Sequence, residues 1–236
     1  IVPTRSVTAN GMTVLFLEQH FLPTVEIHAL VKVGSAQDPP DKAGLANLTA
    51  SLLDEGTLTR TSRQLAEQID FVGGSLEAHA AEDFTTASTR VLKKDADLGF
   101  ALLADMLQHP AFHKQEFERV RTQILGEIVS DDDDPGNVAM KAFHQLIFHG
   151  HPYSWPAHGT EETLNKITVA DIQQFHAREY LPNQTILVIV GDLTQDQAAA
   201  LAQTHFGSWK KGTSSPYQIK KPASIERKMV QLIEKD

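Results

Sequence analysis

The chain has 236 residues, of which 41% are hydrophobic and 22% are charged, and its 30 acidic and 21 basic side chains give a formal net charge of −9. This composition is typical of a globular protein with enough apolar residues for a core, which excludes a disordered tail or a coiled coil. An acidic balance without a basic cluster argues against nucleic acid and anionic membrane surfaces as partners. The absence of cysteine excludes disulfides, thiolate catalysis and cysteine-based metal sites. No apolar run approaches the roughly 18 residues of a membrane-spanning helix.

Hydrophobic periodicity predicts the elements in chain order. Between Val25 and Val33, for example, apolar residues alternate with polar ones, as expected for a half-buried strand. The strands are predicted at residues 12–17, 25–33, 75–80, 84–92 and 185–191, and the helices at 42–53, 61–72, 95–107, 113–129, 137–148, 168–180 and 194–206. Strand pairs mixed with helix pairs, without regular βαβ alternation, predict an α+β fold. It has two layers, a mixed and mainly antiparallel sheet with helices packed on one face.

The end of the chain differs in composition from the rest. Residues 212–227 contain several prolines and serines and read as a linker. We therefore expect one domain over residues 1–211, a linker over 212–227, and the first strand of a truncated second domain over 228–236.

Short sequence motifs alone do not indicate an enzyme class for this chain. The chain contains no phosphate-binding glycine loop, no nucleophile elbow, and neither His-Glu-x-x-His nor its inverse. His144, His149 and His151 fall within eight residues and either present imidazoles to one metal ion or lie in an exposed loop.

One acidic residue falls on an apolar helix. Glu127 lies in the predicted helix 113–129, near the inward-facing Ile124 and Ile128. An acidic side chain near a buried face is usually paired or functional, so we expect Glu127 to have one of these roles.

A series of short segments gives a stronger signal when it is taken in order and spacing. The segments are Asn10-Gly11-Met12-Thr13-Val14, Val33-Gly34-Ser35 with Asp38-Pro39, Gly44-Leu45-Ala46, Glu55-Gly56-Thr57, Gly73-Gly74, Asp133-Asp134-Pro135, His151-Pro152-Tyr153, Gly159-Thr160, Tyr180-x-Pro182-Asn183 and Val190-Gly191-Asp192. Together they resemble the pitrilysin/insulinase family of zinc peptidases, which includes the mitochondrial processing peptidase subunits and the bc1 core proteins. The resemblance covers nearly the whole chain and implies a processing-peptidase-like fold.

Active members of that family carry the inverted motif His-x-x-Glu-His. Its two histidines hold Zn²⁺, its glutamate activates the zinc-bound water, and a glutamate on a later helix is the third ligand. The resemblance places Asn47 and Ser51 at the two histidine positions, Ala50 at the base position and Glu127 at the third-ligand position. Asn is a poor zinc ligand, Ala accepts no proton and Ser is a weak neutral donor. The resemblance therefore implies an inactive member without zinc, in which Glu127 is a vestigial ligand position.

Three functions follow from the resemblance. The first is a pseudo-peptidase half or subunit that forms a heterodimer with an active His-x-x-Glu-His subunit and helps it to bind peptide or unfolded protein. The second is a structural or assembly protein like the bc1 core subunits. The third is an active zinc metallopeptidase whose ligands come from elsewhere, such as His144, His149 and His151.

In this family the substrate is an extended peptide added to a sheet edge. The corresponding strand here is 75–80, with Ser75, Leu76, Glu77 and Ala78 as candidate peptide-binding residues. Glu77-Ala78 departs from the Asn-Ala that the family often has, and the acidic net charge favours basic peptides or serves solubility.

Localisation is also implied by the resemblance. The sequences of segments 44–47 and 52–57 resemble those of periplasmic members, which implies a bacterial periplasmic or otherwise exported protein. The first residue, Ile1, is not Met, and this predicts that a leader has been removed or trimmed away.

Overall fold

The structure is a computed structural model that describes residues 2–213, 219, 221–224 and 228–233. Within these residues one sheet contains the strands β1 (Thr4–Val7), β2 (Thr13–Glu18), β3 (Thr24–Val31), β4 (Ser75–Ala80), β5 (Thr85–Leu92) and β6 (Thr185–Gly191). The α-helices are α1 (Leu45–Ala50), α2 (Ser62–Phe71), α3 (Ala96–Gln108), α4 (Lys114–Asp133), α5 (Pro135–Ile147), α6 (Glu161–Leu164), α7 (Val169–Glu179) and α8 (Gln195–Phe206).

The sheet has the strand order β1-β2-β6-β3-β5-β4. β2 and β6 are parallel, and every other neighbouring pair is antiparallel. The last strand of the domain, β6, thus lies at the centre of the sheet, between the first hairpin and β3. β1 and β4 form the two edges.

One face of the sheet is buried under the helices. Val25, Ile27 and Ala29 of β3 are fully buried, while His28 between them is exposed. Phe100 of α3 and Phe206 of α8 belong to the same buried apolar cluster as these strand residues. This two-layer arrangement confirms the predicted α+β fold with a mainly antiparallel sheet. No helix in the described part of the chain combines the length and apolar character that crossing a membrane requires.

Two predicted helices have different bounds in the structure. The helix predicted at 42–53 is shorter, because Gly44 adopts φ = +96° before α1 and the helical backbone ends at the C-cap Ser51. The helix predicted at 113–129 is longer, because the acidic run up to Asp133 continues α4. Hydrophobic periodicity did not predict β1 and α6, two elements of only 4 residues each.

The linker and the second domain expected at the end of the chain stay predictions. Residues 214–218, 220 and 225–227 of the predicted linker and 234–236 of the predicted second domain lie outside the described residues. Residues 228–233, predicted as a strand, are exposed and belong to no strand. A strand requires a hydrogen-bonded neighbour, and no described strand pairs with this segment.

Candidate functional site

Helix α1 begins where a half-buried carboxylate accepts hydrogen bonds from the backbone of its first turn. The backbone N–H groups of Gly44 and Ala46 donate to the Asp38 carboxylate, each across 2.9 Å. Burial raises the pKa of Asp38 to about 7, although these two donors act in the opposite direction. A Cβ on Gly44 would lie 2.7 Å from the carbonyl oxygen of His158. Asp38 and Gly44 together therefore define the start of α1.

The three positions predicted to have lost the zinc chemistry lie on or next to α1. Asn47 and Ser51 are half-buried, and Ala50 is fully buried. An amide, a hydroxyl and a methyl group provide neither two imidazoles nor a proton acceptor, so this set of residues does not fit a catalytic zinc ion. Over the described residues, no three His, Asp or Glu side chains are grouped so that they could hold one metal ion.

Glu127 lies on α4, and its side chain is exposed. Its Oε1 accepts a hydrogen bond from Nε2 of Gln123 across 3.0 Å, while Ile124 and Ile128 are buried. Glu127 therefore has a polar partner, one of the two roles expected for it, and its side chain lies at the surface and not in the buried face. Successive residues of a helix are about 100° apart, which turns Glu127 away from the direction of Ile128. Glu127 is a surface carboxylate bound by a neighbour one turn away.

The segment that follows α1 contains two adjacent carboxylates with different environments. Glu55 accepts from Nη2 of Arg119 on α4 across 2.5 Å and from Oγ of Ser62 across 3.0 Å. Hydrogen bonds from Arg119 to Glu55 and Glu116 raise the pKa of that guanidinium. Burial, with a smaller contribution from the charge of Glu55, raises the pKa of Asp54 to about 6. This pair was not predicted from the sequence, where its one visible signal is two acidic residues directly after an apolar helical stretch.

β4 forms a free edge of the sheet. It pairs with β5 on one side, and no other described strand pairs with its outer side. Just beyond β4, the N–H groups of Ser35 and Ala36 donate to the carbonyl groups of Ala81 and Glu82 across 3.0 and 2.9 Å. The edge is covered there, so its free part coincides with β4.

The four predicted peptide-binding residues all lie on this edge. Ser75 and Glu77 are exposed, whereas Leu76 and Ala78 are half-buried and pack against the core under the helices. α1 contacts β4, so the positions of the lost zinc motif lie next to the free edge. An unpaired edge of this kind offers backbone N–H and C=O groups to an added strand.

A cavity opens at each end of β4. The first has a volume of about 340 Å³ and lies between the segment after α1, helix α2 and residues 74–77. The second has a volume of about 200 Å³ and lies near Glu82, where α4 and α5 meet the loop that contains His158. The free edge of β4 therefore runs from one cavity toward the other.

The three histidines considered as metal ligands have different environments. His144 on α5 and His149 in the following loop are exposed, whereas His151 is buried. The His151 ring packs against Tyr153 with 4.7 Å between centroids and against Phe148 with 5.7 Å, and its Nδ1 accepts the N–H of Tyr153. His151 therefore belongs to an aromatic cluster in this loop. Packing within this cluster accounts for the segment His151-Pro152-Tyr153.

Two family profiles match the chain. The profile described as insulinase (peptidase family M16) matches residues 13–161, and the profile described as peptidase M16 inactive domain matches residues 166–236. In the structure, both stretches contribute strands to the same sheet, since β6 of the second stretch lies between β2 and β3 of the first.

Curated relatives and solved structures agree with these matches. A zinc protease of Mycobacterium tuberculosis is 32% identical over 211 residues, which is 88% of this chain and 48% of that protein. Subunit 1 of the mitochondrial cytochrome b-c1 complex of Rattus norvegicus is 28% identical over 203 residues, which is 86% of this chain and 42% of that protein. The chain thus spans about half the length of the curated relatives it matches.

The fold comparison covers nearly all of the chain. The crystal structure of a peptidase M16 inactive domain from Pseudomonas fluorescens is 27% identical, with a TM-score of 0.89 over 94% of this chain and 54% of that chain. The periplasmic protease PqqL of Escherichia coli shares the fold at 18% identity, with a TM-score of 0.85 over 94% of this chain and 25% of that chain. The predicted pitrilysin/insulinase resemblance is confirmed, and the chain belongs to peptidase family M16.

Proposed function

We propose that this chain is a non-catalytic half or subunit of an M16 peptidase, which binds extended peptide for an active partner that carries an intact His-x-x-Glu-His motif. One observation carries the proposal. α1 packs against a free sheet edge, while Asn47, Ala50 and Ser51 occupy the positions at which the resemblance places zinc ligands and base.

The chemistry of these side chains supports binding without hydrolysis. Peptide hydrolysis by a zinc peptidase needs a metal-bound water and a base that takes its proton. Ala50 has no acceptor atom and is fully buried. β4, in contrast, has the unpaired backbone groups that bind a strand of any sequence, and α1 still supports it from the helix layer.

The partner and the location are part of the same proposal. Relatives about twice as long as this chain support a second half or subunit beside it. The Escherichia coli protein with the same fold is described as periplasmic, which supports a periplasmic or exported location for this chain.

The binding part of the proposal is tested by nuclear magnetic resonance of the labelled chain with an extended peptide of about nine residues. We expect amide shifts concentrated in residues 75–80, and mass spectrometry should find the peptide intact after a day with added Zn²⁺. The same peptide with N-methyl groups on alternate amides should give no shifts, because it cannot pair with a strand edge. Cleavage of the peptide, or shifts confined to other elements, would overturn the proposal.

The partner role needs a rate measurement. A subunit of the same organism that carries the intact motif should cleave peptides faster when this chain is added. Peptide binding by this chain without any effect on that rate would favour the second candidate function.

That second candidate is a structural or assembly role. The similarity to subunit 1 of a cytochrome b-c1 complex over 86% of this chain is the observation that favours it. Incorporation into a stable complex that needs neither peptide nor protease activity would support this role.

A further inference from the structure

An apolar groove lies at the end of the sheet where β2 and β6 finish. It opens between the first turn of α3 and one face of α8, and its volume is about 860 Å³. That volume lies within the usual range of binding pockets, about 300–1,000 Å³. No residue of β4 or α1 lines it, so the groove is separate from the site described above. Its apolar residues are Pro23, Leu92, Ala96, Leu193, Ala200 and Leu201.

The loop between β2 and β3 exposes two large apolar side chains beside this groove. Phe21 is 89% exposed and Leu22 is 59% exposed. Pro23 of the same loop lines the groove, and its carbonyl oxygen accepts from the N–H of Lys93 across 2.8 Å. Phe21 itself does not line the groove. An exposed phenyl ring next to an unfilled apolar groove marks an interaction surface.

The position of this loop is fixed by polar contacts on both sides of Phe21. The N–H of Gln19 donates to the carbonyl oxygen of Gly191 across 2.9 Å. The ring of His20 lies with Nδ1 2.5 Å from Asp192 and with Nε2 2.7 Å from Glu18. Hydrogen bonds to these two carboxylates raise the pKa of His20, and a protonated imidazole donates from both nitrogens. The loop therefore presents Phe21 at a defined place beside the groove.

The charges around the groove are compensated within the chain. Each charged residue that lines it has a polar partner: Lys93 is 3.0 Å from Asp192, Lys94 is 2.9 Å from Asp95, and Asp97 is 2.8 Å from His205. The whole chain has a formal net charge of −9, so the overall field of one copy repels another. Since opposite charges are paired around the groove, two copies can meet there without placing like charges together.

We propose that the groove and the loop beside it form a homodimer interface, in which Phe21 of each copy enters the groove of the other. A surface that contains both the projecting ring and the groove is self-complementary under a two-fold rotation, which is the commonest symmetry of soluble oligomers. The occupant is thus a second copy of this chain, because the chain itself carries the side chain that the groove lacks. The interface includes no residue of β4 or α1, so the inference goes beyond the proposed function.

Sedimentation equilibrium of the chain with a matched pair of variants tests the interface. The wild-type chain should change from monomer to dimer between low and high micromolar concentration. Phe21→Ser should raise the dissociation constant of the dimer at least about tenfold, because a central aromatic side chain is lost. Phe71→Ser is the control, since Phe71 is 91% exposed at the end of α2 and lies outside the groove. A monomer at every concentration, or an equal loss in both variants, would overturn the inference.

A second pair of variants tests the groove side of the interface. Ala200 and Ala199 are exposed neighbours on α8, and only Ala200 lines the groove. Ala200→Glu places a carboxylate where Phe21 of the other copy is buried and should weaken the dimer at least about tenfold. Ala199→Glu adds the same charge outside the groove and should change the dissociation constant much less. Equal constants for the two variants would show that the groove does not receive Phe21.

Stoichiometry tests the two-fold symmetry. A two-fold interface uses the loop and the groove of both copies, so assembly stops at two chains. Growth beyond the dimer with rising concentration would indicate a head-to-tail contact and would contradict the proposed interface. Peptide binding at β4 should be the same for Phe21→Ser as for the wild type, which keeps this test separate from that of the proposed function.

Discussion

The two ends of helix α1 each have a half-buried carboxylate, and the two carboxylates have different hydrogen-bond donors. Before the helix, Asp38 accepts two backbone N–H groups, from Gly44 and Ala46. After the helix, Asp54 is half-buried, and its carboxylate accepts a hydrogen bond from its own backbone N–H. In both cases burial raises the pKa, to about 7 for Asp38 and about 6 for Asp54.

The difference separates two effects on stability. The Asp38 carboxylate, which accepts from Gly44 and Ala46, fixes the start of α1 and with it the contact between α1 and β4. The hydrogen bond that the Asp54 carboxylate accepts comes from its own backbone and does not connect it to α1. The comparison therefore implies that loss of the carboxylate lowers stability before α1 and does not lower it after α1.

The largest effect on stability is expected at Gly44. Gly44→Ala forces a side chain into φ = +96° and places Cβ 2.7 Å from a carbonyl oxygen, which should cost about 2–4 kcal/mol in urea unfolding. Gly126→Ala is the control, because Gly126 is inside α4 with nothing within 4 Å, and it should gain about 0.5–1 kcal/mol. A loss below about 0.5 kcal/mol for Gly44→Ala, which is the range of ordinary surface substitutions, would contradict the role of Gly44 at the start of α1.

A smaller loss is expected at Asp38. Asp38→Ala leaves the N–H groups of Gly44 and Ala46 without their acceptor and should lower the free energy of unfolding by about 1–3 kcal/mol. Asp41→Ala in the adjacent exposed turn should change it by less than about 0.5 kcal/mol. If the two variants lose the same amount, the two N–H contacts do not define the start of α1.

The smallest effect, and one of opposite sign, is expected at Asp54. Its pKa in the folded chain is about 6, above the ordinary 3.8, so the folded chain binds the proton more tightly than the unfolded chain. That stabilisation is complete below about pH 4 and is lost as the pH rises through about 6. Asp54→Asn should therefore gain about 1 kcal/mol at pH 8 and almost nothing at pH 4 in urea unfolding. A loss at pH 8 would show that contacts of the ionised carboxylate outweigh the effect of its burial.

The sequence predicted the fold better than it predicted these two carboxylates. The bounds of β4 and β6 follow from alternation and from an apolar run bounded by turns, and the structure has the same residues. Such patterns depend on neighbours in the chain, which the sequence contains directly.

The candidate site depends on contacts between residues that are separated in the sequence, and such contacts cannot be predicted from local patterns. Asp38 is eight residues from Ala46, and Gly74 to Glu77 reach the cavity beside Asp54 only because β4 pairs with β5. Glu127 is the opposite case, because the sequence singled it out and the structure gives it an ordinary surface environment. The family spacing placed it at a ligand position, but the helical period turned its side chain to the surface.

The central claim is that an M16 fold here lacks a zinc site because of the residues at positions 47, 50 and 51. Elemental analysis after dialysis against Zn²⁺ tests it most directly, with the wild-type chain beside Asn47→His/Ser51→His, since both of those positions are half-exposed and Ala50 is buried. We expect less than about 0.1 equivalent in the wild type and a clear increase in the double variant, which restores two imidazoles one helical turn apart. A full equivalent of tightly held zinc in the wild-type chain would contradict the account.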